Sequence, residues 1–386
     1  MTQMPWLPWR SPRKAEGWET PYHHPLVEVI LSEGGKSCSI PPTQLCEEDM
    51  KTAMWRPMPW ASRGAVGRGW KLFSKLSSDC VFEGYDGHLF HTIDNVCEQI
   101  LEGGGLSQDG LQEWLDVLER RLTWALDRRI EYRLLVIPEH HAIYPDKIPG
   151  QPRPSPQRAI MRLKGQASPR LQKSIVYPAE AMVSGRSRRE TFNPHDVHVT
   201  GYGAYLCYRE LALSLGLPQS ELIGECDLVR RERFIAGDMA HAFGQPGRVV
   251  EWLDPPPCKI EILHKSRSFF PSQVDVFETE NRNKPRLVLF RTSNSTLLLP
   301  FLFHHFSRIV AVAAVRVFFD LLESEQPDFV VSEIAERYLA RVGPRSKEDQ
   351  EATLVLDDEV RTTFQEFTGV GLPLPNNQAR GVSQRD

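Results

Sequence analysis

A short apolar run, Leu287-Val288-Leu289-Phe290, breaks off into polar Arg291-Thr292-Ser293-Asn294-Ser295, and an apolar, helix-compatible stretch ending at Pro300 follows at once. That pattern predicts a buried strand, a tight turn and a helix start. Open α/β sheets place their chemistry beyond the carboxyl ends of their strands. A serine in such a turn has an exposed hydroxyl with unengaged backbone N–H groups beside it. Ser293 is therefore the candidate nucleophile.

The same alternation of strand and helix patterns recurs on both sides of this stretch. Val81–Phe90, with Gly84 and Gly87 at its middle, reads as a hairpin. Leu111, Trp114, Leu115, Leu118, Leu122 and Leu126 recur at three- and four-residue spacing and predict a helix over 107–129 starting at Ser107. Glu119, Arg120, Arg121 and Asp127 fall on its opposite, solvated face. Tyr132–Ile137 reads as a buried strand closed by Pro138. Residues 151–190 read as basic and loop-like, with one apolar patch at Ile175-Val176-Tyr177. Arg186, Arg188 and Arg189 serve either an acidic substrate or a solvated loop. Arg308–Val317 predicts a strand passing into a helix through Asp320-Leu321-Leu322, and Pro327–Val331 another strand. Repeated strand–helix order points to an α/β fold with parallel pairing.

Asp196-Val197-His198 precedes Thr200, a predicted N-cap, and a helix that turns Tyr205, Tyr208, Leu211, Ala212 and Leu215 inward and stops at Gly216 and Pro218. Side chains two apart on extended backbone share a face, so the carboxylate can fix the imidazole tautomer while the other ring nitrogen acts as a base. Taken alone, Asp-x-His recurs often by chance. His140 and His141 invite a metal reading, but adjacent histidines on extended chain point apart and no third ligand is evident, so surface or structural roles fit better.

Composition narrows the class. The chain has 386 residues, 41% hydrophobic and 25% charged, enough for a sizeable core. Net charge is −4 and the basic residues are scattered, which argues against a nucleic-acid partner. Seven cysteines form no CxxC and no Cys/His metal spacing, and the odd count suits a reducing compartment. Residues 1–18 carry basic side chains without an apolar core, which reads as no signal peptide and a cytoplasmic location. No stretch reaches membrane-spanning length. Residues 1–68, rich in Pro, Trp and Gly, read as an irregular N-terminal extension, 69–342 as the catalytic domain and 343–386 as a polar tail.

Several stretches, taken in order, resemble the alginate O-acetyltransferase family of the AlgX/AlgJ type, whose domain is similar to SGNH hydrolases. They are GYDGHLF (84–90), VIPEHHAIYPDKIP (136–149), DVHVTGYGAY (196–205), IAGDMA (235–240), RTSNS (291–295) and QPDFVVSEIAERYL (326–339). The resemblance implies an SGNH-like parallel sheet flanked by helices, with Ser293 as nucleophile and Asp196 and His198 completing a triad. It implies an acetyl donor, a carbohydrate acceptor, a possible membrane acyltransferase partner and, as an alternative to the cytoplasm, a periplasmic location; no cofactor and no metal are expected. Family members have Gly where this chain has Arg291. The backbone N–H groups of Ser293 and Asn294 are the candidate oxyanion donors, and Arg291, Tyr144 and Tyr202 the candidate substrate contacts. Water in place of the sugar would make the same site an acetylesterase, and a degenerate glycan- or protein-binding module is the rival from another class.

Overall fold

In the computed structural model, residues 80–265 and 273–341 are described. The expected N-terminal extension and polar tail lie outside the described residues. The described chain begins with a hairpin, β1 (Val81–Glu83) and β2 (Leu89–His91), paired antiparallel. Then come α1 (Gln108–Asp127), β3 (Glu131–Ile137) and the one-turn α2 (His140–Ile143). Next are α3 (Ala159–Gln166), α4 (Pro169–Ser174), β4 (Ile175–Val176), α5 (Ala179–Gly185) and α6 (Gly201–Ser214). Strand β5 (Val229–Ile235), α7 (Asp238–Phe243) and β6 (Arg248–Asp254) follow, β5 and β6 forming their own antiparallel ribbon. The last third holds β7 (Ile260–Lys265), β8 (Val274–Thr279), β9 (Arg286–Phe290), α8 (Ser295–Leu302), β10 (Arg308–Val312), α9 (Phe319–Glu325), β11 (Phe329–Ala335) and α10 (Tyr338–Arg341).

One seven-stranded sheet runs β4-β3-β11-β9-β10-β8-β7. The strands from β4 to β10 are parallel, while β8 and β7 add an antiparallel edge. The sheet is buried on both faces, because successive strand side chains point to opposite sides. Val288 and Phe290 join a core with Trp114, Leu118, Leu163 and Leu321 on one face. Leu287 and Leu289 join Tyr208, Leu211, Leu298 and Phe301 on the other. Each such aliphatic side chain contributes about 1.5–3 kcal/mol by leaving water, which is why a four-residue apolar run suffices for a central strand.

Several expectations need correction. Residues 151–190 are not mainly loop: they carry α3, α4 and α5, short helices that bury only Ile160, Leu163, Leu171, Met182 and a few small residues. On α1, Leu126 is 45% exposed and Arg121 is buried, so the solvated face is rotated from the expected one. Strand β11 runs on through Ser332-Glu333-Ile334-Ala335. The sheet is mostly parallel, as expected, with β8 alone reversed, running against both β10 and the edge strand β7. Among the described residues no helix is long and apolar enough to cross a membrane.

Candidate active site

The turn after β9 is held without left-handed backbone at Arg291, since that residue is not among those with positive φ. A glycine is therefore not required where this chain has arginine. The Arg291 N–H donates to the Val312 carbonyl at 2.8 Å. Its guanidinium turns away into the protein, pairing with Asp275 at 3.1 Å and donating to Thr296 Oγ1 at 3.1 Å. Thr292 N–H and hydroxyl and the Ser295 hydroxyl all reach the Glu333 carboxylate, at 2.7 to 3.0 Å. Burial pushes the Glu333 carboxyl upward, and these donors pull the other way. From Arg291 to Ser295, Ser293 alone is half-exposed; its four neighbours are buried. Among the described residues no protein acceptor engages the Ser293 or Asn294 N–H, while α8 begins directly beyond them.

The loop carrying Asp196 and His198 is pinched by an antiparallel bridge between Phe192 and Val199. Asn193 Oδ1 accepts from His195 N–H at 3.0 Å, and Asp196 Oδ1 accepts from His198 N–H at 3.0 Å. These local bonds are the ones Asn and Asp offer a tight turn. Thr200 then caps α6, its hydroxyl accepting from Gly203 N–H at 3.0 Å. A Cβ at Gly203 would collide with the Thr191 carbonyl oxygen, so glycine lets the helix start lie against the loop.

From opposite sides these segments meet. His198 Nδ1 lies 2.6 Å from Asp196 Oδ1, and His198 Nε2 lies 2.8 Å from Ser293 Oγ. A second carboxylate, Asp238, stands 3.9 Å from His198 Nδ1. Gly237, at φ +74°, turns the chain so that Asp238 N–H points to Asp196 Oδ2 at 3.3 Å. Burial opposes the charged ring of His198, but Asp196, with help from Asp238, overrides it and lifts the pKa to about 9. The arrangement can hold a tautomer, accept a proton from a hydroxyl and stabilise the imidazolium that results.

The other expected contacts sit elsewhere. Asn294 is buried, and its side-chain oxygen lies 3.5 Å from Val199 N. Tyr144 is buried with its hydroxyl accepting from Thr191 N–H at 2.9 Å. The Tyr202 hydroxyl is 3.5 Å from Glu225, under the guanidinium groups of Arg188 and Arg189. Neither tyrosine bonds to Ser293, His198 or Asp196. Arg188 and Arg189 pair with Glu225, at 2.9 and 3.2 Å. Sequence reasoning did not give Asp238 or Glu333 a role. The available signals were a Gly-Asp pair at a helix start and a lone carboxylate inside the apolar run Phe329–Ala335.

The fold and site together define a class: an α/β domain with a serine at the end of a central parallel strand, hydrogen-bonded to a histidine. Solved structures show that fold. A DHHW family protein from Eubacterium siraeum matches with TM-score 0.50 at 15% identity, covering 72% of this chain and 99% of that one. PatB1 of Bacillus cereus, solved with a sulfonyl adduct, matches with TM-score 0.51 at 11% identity, covering 67% and 97%. The O-acetyltransferase domain of Pseudomonas putida AlgJ matches with TM-score 0.46 at 16% identity, covering 74% and 97%. No protein-family model matches the chain, and no curated protein sequence matches it.

Proposed function

We propose that this protein is a serine-dependent O-acetyltransferase that carries an acetyl group on Ser293 and delivers it to a carbohydrate hydroxyl. The observation that carries the reading is the unbroken chain Ser293 Oγ–His198 Nε2 at 2.8 Å and His198 Nδ1–Asp196 Oδ1 at 2.6 Å. Neutral His198 takes the Ser293 proton as Oγ bonds to the acetyl carbon of the donor. The donor's leaving oxygen departs with that proton. A sugar hydroxyl then attacks acetyl-Ser293, gives its proton to His198, and Ser293 Oγ recovers a proton from His198 as it leaves. The N–H groups of Ser293 and Asn294, at the start of α8, are suited to the oxyanion.

The resemblance of the six sequence stretches supports acetyl as the acyl group and a saccharide as acceptor, with a membrane acyltransferase as a possible donor. The sulfonyl adduct of similarly folded PatB1 suggests the test. Wild-type chain exposed to an activated acetyl ester gains one acetyl mass on Ser293, and a sulfonyl fluoride blocks that gain. Ser293→Ala gains none. Equal background hydrolysis by both proteins would leave only a binding module.

A further inference from the structure

Among the described residues two groups of imidazole and carboxylate donors lie within 4.8 Å of one another: Asp196, His198 and Asp238, and separately His91, Glu139 and His141. The first belongs to the site above. The second plays no part in it. His91 ends β2, while Glu139 and His141 follow the carboxyl end of β3, so the hairpin and the sheet meet at these side chains. All three are buried, at 2%, 3% and 0% exposure.

The sequence offered no third ligand for His141, and the fold supplies two. His91 Nε2 stands 3.6 Å from Glu139 Oε2. His91 Nδ1 and both ring nitrogens of His141 have no hydrogen-bond partner. The His91 carbonyl faces the His141 ring without reaching hydrogen-bond geometry. Leaving a buried polar nitrogen unpaired is costly, and such groups call for a physical reason. The other oxygen, Glu139 Oε1, is fixed by Arg337 Nη1 at 2.8 Å. That leaves Oε2 turned to the histidines, as an outer partner orients a ligating carboxylate.

We propose that His91, Glu139 and His141 bind a divalent transition-metal ion of the zinc type, tying the β1–β2 hairpin to the end of β3. Two neutral imidazoles and one carboxylate are a donor set that zinc accepts. Zinc holds such donors at about 2.0–2.2 Å, so tetrahedral partners stand about 3.4 Å apart. The His91–Glu139 separation of 3.6 Å already fits, and a His141 ring nitrogen lies within 4.8 Å of both partners. The nearby Arg337 cation does not act alone on the ion. It pairs with Glu139 itself at 2.8 Å and lies 3.6 Å from Asp94, so its charge is shared between two carboxylates. Burial keeps substrate away and makes the ion structural.

The test reads metal content, not activity, so it is independent of the acetyl-transfer reading. Full-length chain is stripped with chelator, loaded with Zn2+, desalted and analysed by plasma mass spectrometry. About one zinc per chain remains in wild type and in a His241→Ala control at an exposed site, and is lost in His141→Ala and Glu139→Gln. Because those variants can misfold, histidine-labelled NMR of the wild type is recorded as Zn2+ is added. The His91 and His141 ring signals shift and that of His241 stays. Wild type that retains no zinc, variants that retain it equally, or unmoved His91 and His141 signals overturn the proposal.

Discussion

Glu333 on β11 accepts the backbone N–H of Thr292 at 2.7 Å, so a carboxylate from the neighbouring strand fixes the residue before Ser293. The same carboxylate takes the Thr292 and Ser295 hydroxyls, bracketing Ser293 from both sides. Register explains it. Ser332 stands beside Phe290, which puts the next residue of β11 level with the turn. The serine is thus aimed by a parallel strand pair and not by a glycine.

Replacing that carboxylate tests the arrangement. Glu333→Gln keeps the volume but puts an NH2 where one acceptor oxygen stood, leaving at least one buried donor unpaired. The expected cost is about 1–3 kcal/mol, read as a lower urea midpoint with unchanged slope. Acetyl-ester turnover falls with it, because a turn shifted by about 1 Å loses on the order of 100-fold. Wild-type turnover in a normally folded Gln variant would remove Glu333 from the positioning of Ser293.

His198 titrates near pH 9 in the folded chain against 6.5 for an unperturbed ring. As a base it must be neutral, so kcat/KM rises with pH and levels off above about pH 9. Stability runs the other way. A raised pKa adds stability in full below pH 6.5, about 3 kcal/mol, and this is lost as pH climbs through about 9. Urea midpoints and rates measured over pH 6 to 10 should cross in this sense. A rate that is flat from pH 6 upward would mean that the ring is not held by Asp196 as described.

The central strand, its turn and the helix after it were legible because a four-residue apolar run ending in five polar residues fits a buried strand and little else. Asp196 and His198 were legible through the Asp-x-His spacing followed by the Thr200 cap. What lay hidden depended on register and on distance along the chain. Glu333 and Thr292 are 41 positions apart and meet only because β11 lies beside β9. Asp238 reaches His198 only through the positive φ of Gly237. The helices of 151–190 are too short for periodicity to speak. Serine before proline at 168–169, which caps and starts α4, was the overlooked sign.

Two carboxylates face one imidazole nitrogen, and their contributions differ. Asp196 is buried and 2.6 Å away, whereas Asp238 is 3.9 Å away with its side chain 40% exposed. Asp196→Asn removes the partner that fixes the tautomer, and the acylation rate drops by about 10³–10⁴. Asp238→Asn leaves that hydrogen bond in place. It lowers the His198 pKa and moves the rising limb of the pH profile to lower pH, with less than about a 10-fold change in the plateau. Stopped-flow acylation by an activated acetyl ester across the pH range separates the two. Equal losses for both variants would make Asp238 the structural equal of Asp196.

Arg291 and Asp275 form a buried ion pair, each side chain 5% exposed or less, joining the turn after β9 to the start of β8. Removing one partner strands the other charge in the core. Arg291→Met is therefore expected to cost about 3–5 kcal/mol. Replacing both, with Arg291→Met and Asp275→Leu, relieves the stranded charge and recovers most of that loss, since matched apolar side chains often substitute well for a buried pair. Gln273 complicates the recovery. Its amide donates to Asp275 at 2.9 Å and would lose that acceptor in the double variant. The cycle is read from urea unfolding of the single and double variants. A double variant as unstable as the sum of the two singles would mean that the pair does not act as a unit.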